Sequence, residues 1–129
     1  MRSAVNIVIW ALCVCGMASA CARAQNGIVI KVIYNNIVQD DNLKGRWGFA
    51  CVIEGAEKTI LFDTGGDGKL LMDNMKKMGI DPSSIEMVVL SHEHNDHTGG
   101  LEAFLKKNDK AIVFAPASFS KEFQSFAKD

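Results

Sequence analysis

The histidines of this 129-residue chain are concentrated in a single short segment. All three fall within six residues, together with one aspartate: His92, His94, Asp96 and His97. The cluster follows the apolar run 87–90 and precedes Gly99 and Gly100. The apolar run predicts a buried strand, and the glycine pair predicts a turn into a helix. The sequence therefore indicates an α/β fold with its most reactive side chains at the end of a strand, where functional sites are often built.

The residue types in this cluster are those of a metal site. Neutral imidazole and carboxylate are ligands that zinc, manganese and iron accept. His92 and His94 are two apart, so in extended chain their side chains point the same way. Asp96 and His97 are adjacent and must diverge. We therefore predict two divalent ions, one on each pair of residues, with zinc favoured and manganese or iron as alternatives.

Two other interpretations compete with this one. A zincin helix requires H-E-x-x-H, but Asp96 stands where the second histidine should be. The remaining alternative is a solvated histidine-rich loop that binds metal only adventitiously.

At H-x-H-x-D-H, residues 92–97, the chain resembles the metallo-β-lactamase superfamily. The run 59–65, Thr-Ile-Leu-Phe-Asp-Thr-Gly, is similar to the family's strand that ends in aspartate and glycine beside the metals. The runs 47–54 and 79–91 are most similar to the branch of dihydropterin ribofuranosylaminobenzene phosphate synthases and related metal hydrolases. The resemblance covers most of the chain after residue 26. It implies an α/β fold, the N-terminal half of an αββα sandwich.

The resemblance also implies how the ligands are shared. In the family, His92 and His94 would bind the first ion and Asp96 and His97 the second, each with a later histidine, and a later aspartate would bridge both. No histidine follows His97, and neither Asp109 nor Asp129 has a context that matches the bridging residue. We therefore expect domain 25–129 to be the front part of the sandwich: a fragment, a truncated product, or a protein completed by a partner.

The implied activity is hydrolysis of an ester, phosphoester or related bond by a metal-activated water. Asp96 is assigned a role in positioning or deprotonating that water. Asp63 is expected behind the ligands, accepting a hydrogen bond from the ligand loop or from a ligand imidazole. Its alternative is a turn aspartate before Gly65 and Gly66. The alternative for the whole chain is a non-catalytic metal-binding remnant or partner module.

A minor hypothesis of another class starts from Asp63-Thr64-Gly65, because Asp-Thr-Gly is also the signature of aspartic proteases. Such a chain would act as a homodimer that pairs two aspartates. The following Gly66-Asp67-Gly68 and the unexplained histidines speak against it.

The first residues are typical of a secretory signal peptide. A positive Arg2 precedes an apolar stretch that ends in small residues, and Ala22-Arg23-Ala24 offers a cleavage site, which gives a signal peptide over residues 1–24. Cleavage before Cys21, leaving a lipid anchor on that cysteine, is the alternative. The apolar stretch is short for a stable membrane span. We predict an exported protein, periplasmic or extracellular.

The charge of the chain indicates which kinds of partner it binds. The net charge is −1 and no basic stripe is present, so we predict a small-molecule substrate and no nucleic acid, and leave the oligomeric state open.

Cys51 is predicted to be a buried structural thiol on one strand face with Trp47, Phe49 and Ile53. The expected elements are strands 28–34, 47–54, 58–63, 86–91 and 111–115, helices 68–78 and 99–107, and a terminal amphipathic helix within 118–129.

Overall fold

The computed structural model describes residues 27–126, which form one five-stranded sheet and four α-helices. The predicted signal peptide, with Cys21, lies outside the described residues. The strands are β1 (Val29–Tyr34), β2 (Ala50–Glu54), β3 (Ile60–Phe62), β4 (Met87–Val89) and β5 (Ile112–Phe114). The helices are α1 (Gly68–Lys77), α2 (Asn95–Thr98), α3 (Leu101–Leu105) and α4 (Lys121–Phe126), with a 3-10 helix at Pro82–Ser84. The predicted mixed α/β class is confirmed.

The strands lie in the sheet in chain order, but the sheet is mixed. β1, β2 and β3 pair antiparallel, whereas β3, β4 and β5 pair parallel. Parallel neighbours need a crossover connection, which α1 supplies between β3 and β4 and α2 with α3 supply between β4 and β5. The carboxyl ends of β3 and β4 therefore meet at one edge of the sheet, and the segments after them lie side by side.

One face of the sheet forms the core. Val52, Leu61 and Val88 lie in register across three strands, and all three are fully buried. The side chains that cover them from the helices include Leu71 of α1 and Phe104 of α3, both also fully buried. Burying such side chains contributes about 1.5–3 kcal/mol each, so this face dominates the stability of the fold.

The opposite face of the sheet is also apolar, and it is exposed on the two outer strands. It carries the register row Ile30, Ile53, Ile60, Met87 and Ile112. Ile30 and Ile112, at the two edges, are 62% and 61% exposed. The alternation along each strand thus gives two faces with apolar rows, and the described residues fully bury the centre of one of them, at Val52, Leu61 and Val88.

Helix α1 follows from its sequence signals. Asp67 caps it by accepting a hydrogen bond from the Leu70 amide at 3.0 Å, and this bond lowers the pKa of the Asp67 carboxyl. Leu71 and Met75 form its buried stripe. The helix ends before Gly79, whose φ of 66° is the left-handed conformation typical of a C′ glycine. The predicted helix 68–78 is confirmed within one residue.

Two predicted boundaries are wrong, and glycines stand at both. The strand expected at 47–54 begins at Ala50, and Trp47, predicted on its buried face, is 73% exposed. Gly48 has a φ of 131°, which takes the chain out of extended geometry before the strand starts. The helix expected at 99–107 is observed as α3, Leu101–Leu105, and Gly99 and Gly100 stand between it and the separate short helix α2. The burial predicted for Cys51 is confirmed, at 5% exposure, and burial raises the pKa of its thiol.

The C-terminal helix begins later than predicted. Helix α4 spans Lys121–Phe126, so Phe119 precedes it rather than lying on its stripe. Phe119 is nevertheless 5% exposed and packs into the core, whereas Phe126 is 44% exposed. Only the first part of the predicted apolar stripe is therefore buried.

Among residues 27–126, no helix has the length and apolar character needed to cross a bilayer.

Candidate metal centre

The site lies at the sheet edge where β3 and β4 end. The Asp63 amide donates to the carbonyl of Val89, the last residue of β4, at 2.9 Å, which extends the parallel ladder by one residue beyond the end of β3. From there the chain after β3 turns through Thr64 and Gly65, and the chain after β4 passes through Ser91 into the histidine segment. The sheet thus places Asp63 beside the predicted ligand loop.

Three of the four predicted ligands converge. One possible ligand atom from each of His92, Asp96 and His97 lies within 4.8 Å of the other two. The His92 and His97 rings are 4.1 Å apart between centroids, and Asp96 Oδ2 lies 3.6 Å from His97 Nε2. Imidazole and carboxylate at this spacing are a donor set that suits zinc, manganese or iron.

His94 lies at the border of this group. Its ring is 4.7 Å from the His92 ring between centroids, in an edge-to-face arrangement, but it is not part of the three-residue group. Its backbone is extended and stands at the N-cap of α2, which carries Asp96 and His97. The structure thus groups His92 with Asp96 and His97, whereas the sequence paired it with His94. The division of the four residues between two ions stays a prediction.

Asp63 is the centre of the hydrogen bonds behind this group. Its side chain is 1% exposed. Oδ1 accepts from the Ser91 amide at 2.7 Å, and Oδ2 lies 2.7 Å from both the Ser91 hydroxyl and His97 Nδ1. A carboxylate in this position fixes the ring of His97 and leaves Nε2 free to face an ion. The backbone of Asp63 has a φ of 54°, in the left-handed region, which costs roughly 1–2 kcal/mol for a residue with a side chain.

Ser91 connects the same carboxylate to a second histidine. Its hydroxyl lies 2.9 Å from His92 Nδ1 as well as 2.7 Å from Asp63 Oδ2. The hydroxyl therefore lies between Asp63 and His92 and contacts both.

Backbone contacts hold helix α2 against the loop after β3. The His97 carbonyl accepts from both the amide and the hydroxyl of Thr64, at 2.7 and 2.9 Å. The Asp96 carbonyl accepts from the Phe49 amide at 3.2 Å. A Cβ at Gly48 would lie 2.3 Å from that Asp96 carbonyl oxygen, and one at Gly100 would lie 2.2 Å from the Thr64 carbonyl oxygen. These two glycines are required because the backbones approach too closely for a side chain.

Glu93, between the first two histidines, is engaged elsewhere. Its carboxylate accepts from the Ser120 amide at 2.5 Å and from the Ser120 hydroxyl. These bonds lower the pKa of the Glu93 carboxyl, the hydroxyl contributing most. Glu93 therefore ties the residue before α4 to the histidine segment.

The structure adds residues that the sequence analysis did not single out. Ser91, Ser120 and Gly48 all contact the predicted site or its loop. Ser91 had a local signal, because it directly precedes the first histidine. Ser120 and Gly48 had none, since their contacts join segments far apart in the chain.

The aspartic protease hypothesis does not fit this geometry. Both carboxylate oxygens of Asp63 are occupied by Ser91 and His97, and the residue is 1% exposed. A catalytic aspartate of that class must face its substrate and a second aspartate.

Sequence comparison identifies similar proteins. The family model described as the metallo-beta-lactamase superfamily matches residues 47–120, more than half of the chain. The chain is 46% identical over 68 residues to 7,8-dihydropterin-6-methyl-4-(beta-D-ribofuranosyl)-aminobenzene-5'-phosphate synthase of Methanocaldococcus jannaschii. That match covers 52% of this chain and 23% of the relative. The chain thus spans about a quarter of the length of this curated relative.

Comparison with solved structures finds the same architecture. The human tRNase Z, short form, matches with a TM-score of 0.55 at 17% identity, over 77% of this chain and 38% of that one. The metallo-β-lactamase MIM-1 of Novosphingobium pentaromativorans matches with a TM-score of 0.50 at 28% identity, over 60% of this chain and 29% of that one. At 17% identity, the match to the human tRNase Z concerns the fold alone.

Proposed function

Because the chain belongs to the metallo-β-lactamase superfamily, we propose that it is a metal-dependent hydrolase acting on an ester, phosphoester or related bond. The observation that carries the proposal is the convergence of His92, Asp96 and His97 within 4.8 Å at the carboxyl end of β4. We also propose that this domain is the front part of an αββα sandwich. The second face of its sheet supports this, because it is apolar and exposed at Ile30 and Ile112. We further propose a small-molecule substrate.

The donor set fits a divalent ion, with zinc favoured and manganese or iron as alternatives. His92, His94, Asp96 and His97 would hold the metal, and in place of the division expected from the resemblance we propose that the converging His92, Asp96 and His97 would hold one ion, with His94 beside them for a second. When bound, such an ion lowers the pKa of a coordinated water towards neutrality and polarises the bond under attack. The presence of two ions is part of the proposal.

The chain's own residues have distinct roles in this mechanism. Asp96 is partly exposed, at 28% of its side chain, so its carboxylate can orient the attacking water and accept its proton. His97 is held by Asp63 through Nδ1, so its ring cannot rotate away when substrate enters. The hydrogen bonds behind the ligands keep them in place before an ion or substrate arrives, which reduces the cost of ordering them.

A non-catalytic metal-binding module is the second candidate. It is favoured by the size of the ligand group, since only three residues converge within the part of the chain described here. A single ion on three ligands can be bound without two-metal chemistry. Both candidates bind metal, but only the hydrolase turns over a substrate once the metal is bound.

The test begins with the metal-free full chain. Zinc, manganese and iron(II) are titrated by calorimetry, and bound metal is counted by mass spectrometry. Hydrolysis of p-nitrophenyl phosphate, bis-p-nitrophenyl phosphate, a p-nitrophenyl ester and a thioester is then measured. The hydrolase predicts turnover that depends on metal and is lost in His97→Ala. Metal binding without turnover of any substrate would favour the module, and absence of metal binding would contradict both.

A further inference from the structure

The Ser91 hydroxyl occupies a position that the proposed mechanism does not yet use. It lies 2.7 Å from Asp63 Oδ2 and 2.9 Å from His92 Nδ1, so it contacts a buried carboxylate on one side and a candidate ligand on the other. His97 contacts the same carboxylate oxygen directly, at 2.7 Å. Two of the three converging ligands are therefore connected to one side chain, by different routes.

The hydrogens of this network can be counted. An ionised carboxylate only accepts hydrogen bonds, so the Ser91 hydroxyl must donate its single hydrogen to Asp63. Towards His92 the hydroxyl oxygen can then only accept. His92 must therefore carry its hydrogen on Nδ1, which leaves the Nε2 lone pair free. The same reasoning places the His97 hydrogen on Nδ1, because that atom faces Asp63 directly.

We propose that Ser91 is a positioning residue that relays the Asp63 carboxylate to His92 and thereby fixes the tautomer and ring orientation of that ligand. The inference rests on the proposed metal site and adds a residue to it. One buried aspartate then orients two ligands: His97 by direct contact and His92 through the serine hydroxyl. Such partners behind a ligand typically change metal affinity by about 10- to 100-fold when they are removed.

The surroundings of Ser91 make it a suitable residue to change. Ser91 is exposed and is not part of the hydrophobic core. Ser91→Ala therefore removes the hydroxyl without opening a buried cavity. Its backbone amide still donates to Asp63 Oδ1 in that variant, because the bond does not involve the side chain. The loop is therefore expected to keep its path.

The first readout is the tautomer of each histidine in the metal-free full chain, from long-range proton–nitrogen NMR at pH 8. Wild type should show hydrogen on Nδ1 of both His92 and His97. Ser91→Ala should shift His92 towards the Nε2-protonated form while His97 is unchanged, so His97 is an internal control. Ser91→Thr retains a hydroxyl and should restore the wild-type pattern.

The second readout is zinc affinity, measured by calorimetry. Ser91→Ala should lower it by about 10- to 100-fold, and Ser91→Thr should not. Ser84→Ala is the matched control, because the Ser84 hydroxyl also bonds to an acceptor, the Asp81 carbonyl, but has no contact with a histidine. Ser84→Ala should leave both readouts at wild-type values.

The outcomes separate this inference from the proposed function. An unchanged His92 tautomer in Ser91→Ala, or hydrogen on Nε2 of His92 in wild type, would overturn the relay even if zinc binds and substrate is hydrolysed. A serine-dependent His92 tautomer would support the relay. If the same protein bound no metal, the proposed function would fail while the hydrogen-bond assignment stood.

Discussion

Asp63 Oδ2 lies 2.7 Å from His97 Nδ1, although the two residues are 34 positions apart in the chain. The contact exists because β3 and β4 are parallel neighbours and both end at the same edge of the sheet. Asp63 continues the chain after β3, and His97 lies in the short helix after β4. The parallel pairing of two strands thus gives a histidine its fixed orientation.

Asp63→Asn tests this contact with almost no change in volume. Asparagine can still accept from the Ser91 amide, but its NH₂ group then faces the Ser91 hydroxyl and His97 Nδ1 as a donor. His97 must lose its Nδ1 hydrogen or turn away. We expect zinc affinity to fall by about 10- to 100-fold, measured by calorimetry. Wild-type affinity in Asp63→Asn would show that the carboxylate does not orient the ligand.

Alanine substitution of each histidine tests the composition of the ligand group. His92 and His97 belong to the three-residue group and His94 does not. We therefore expect His92→Ala and His97→Ala to remove the most tightly bound zinc, while His94→Ala reduces the stoichiometry or the affinity of a weaker second ion. Bound zinc is counted by mass spectrometry after dialysis at increasing chelator concentration. Equal loss in all three variants would contradict this grouping.

Much of the site could be predicted because its signals are local. The cluster of histidines and Asp96 falls within six residues, and an apolar run directly before it predicted the strand that presents it. The helix predicted at 68–78 agrees with α1 to within one residue, and the features that bound it in the structure, the cap at Asp67 and the turn at Gly79, are also local. Short-range patterns of this kind require no knowledge of which strands pair.

Other features depended on contacts that the sequence does not show. Trp47 was expected on a buried strand face, but it is exposed beside the turn at Gly48, and that turn lies against the backbone of Asp96, far along the chain. The bond between Glu93 and Ser120 likewise joins segments that only the finished fold brings together. Tertiary contacts decided these positions, not local propensity.

Glu93→Ala should affect the C-terminal segment and not the metal. The Glu93 carboxylate accepts two hydrogen bonds from Ser120, the residue before α4. Without it, hydrogen exchange at the amides of α4 should become faster, while zinc affinity changes little. Glu102→Ala, which removes an exposed ion pair with Lys106 on α3, is the matched control and should leave exchange in α4 unchanged. Strong loss of zinc from Glu93→Ala would make Glu93 part of the metal site.

The same contact should depend on pH in one direction. Because the bonds from Ser120 lower the pKa of the Glu93 carboxyl below the ordinary value of 4.5, folding favours its ionised form. The stabilisation is present above pH 4.5 and is lost as the pH falls through that value to the lower pKa of the folded state. Exchange in α4 should therefore increase in wild type as the pH is lowered over this range, after correction for the intrinsic exchange rate. Glu93→Ala should show no such step.

Comparing Gly48→Ala with Gly79→Ala distinguishes two effects of adding a Cβ: a clash with a neighbouring backbone and the cost of a positive φ. Both glycines have positive φ, 131° and 66°, but a Cβ at Gly79 meets nothing within 4 Å, whereas one at Gly48 would lie 2.3 Å from the Asp96 carbonyl oxygen. Gly79→Ala should lower the free energy of unfolding by roughly 1–2 kcal/mol through conformation alone, and leave zinc affinity unchanged. Gly48→Ala should destabilise at least as much and also weaken zinc binding, because Asp96 must move. Urea unfolding and zinc calorimetry measure the two effects, and equal zinc affinities in the two variants would mean that the Gly48 contact does not position Asp96.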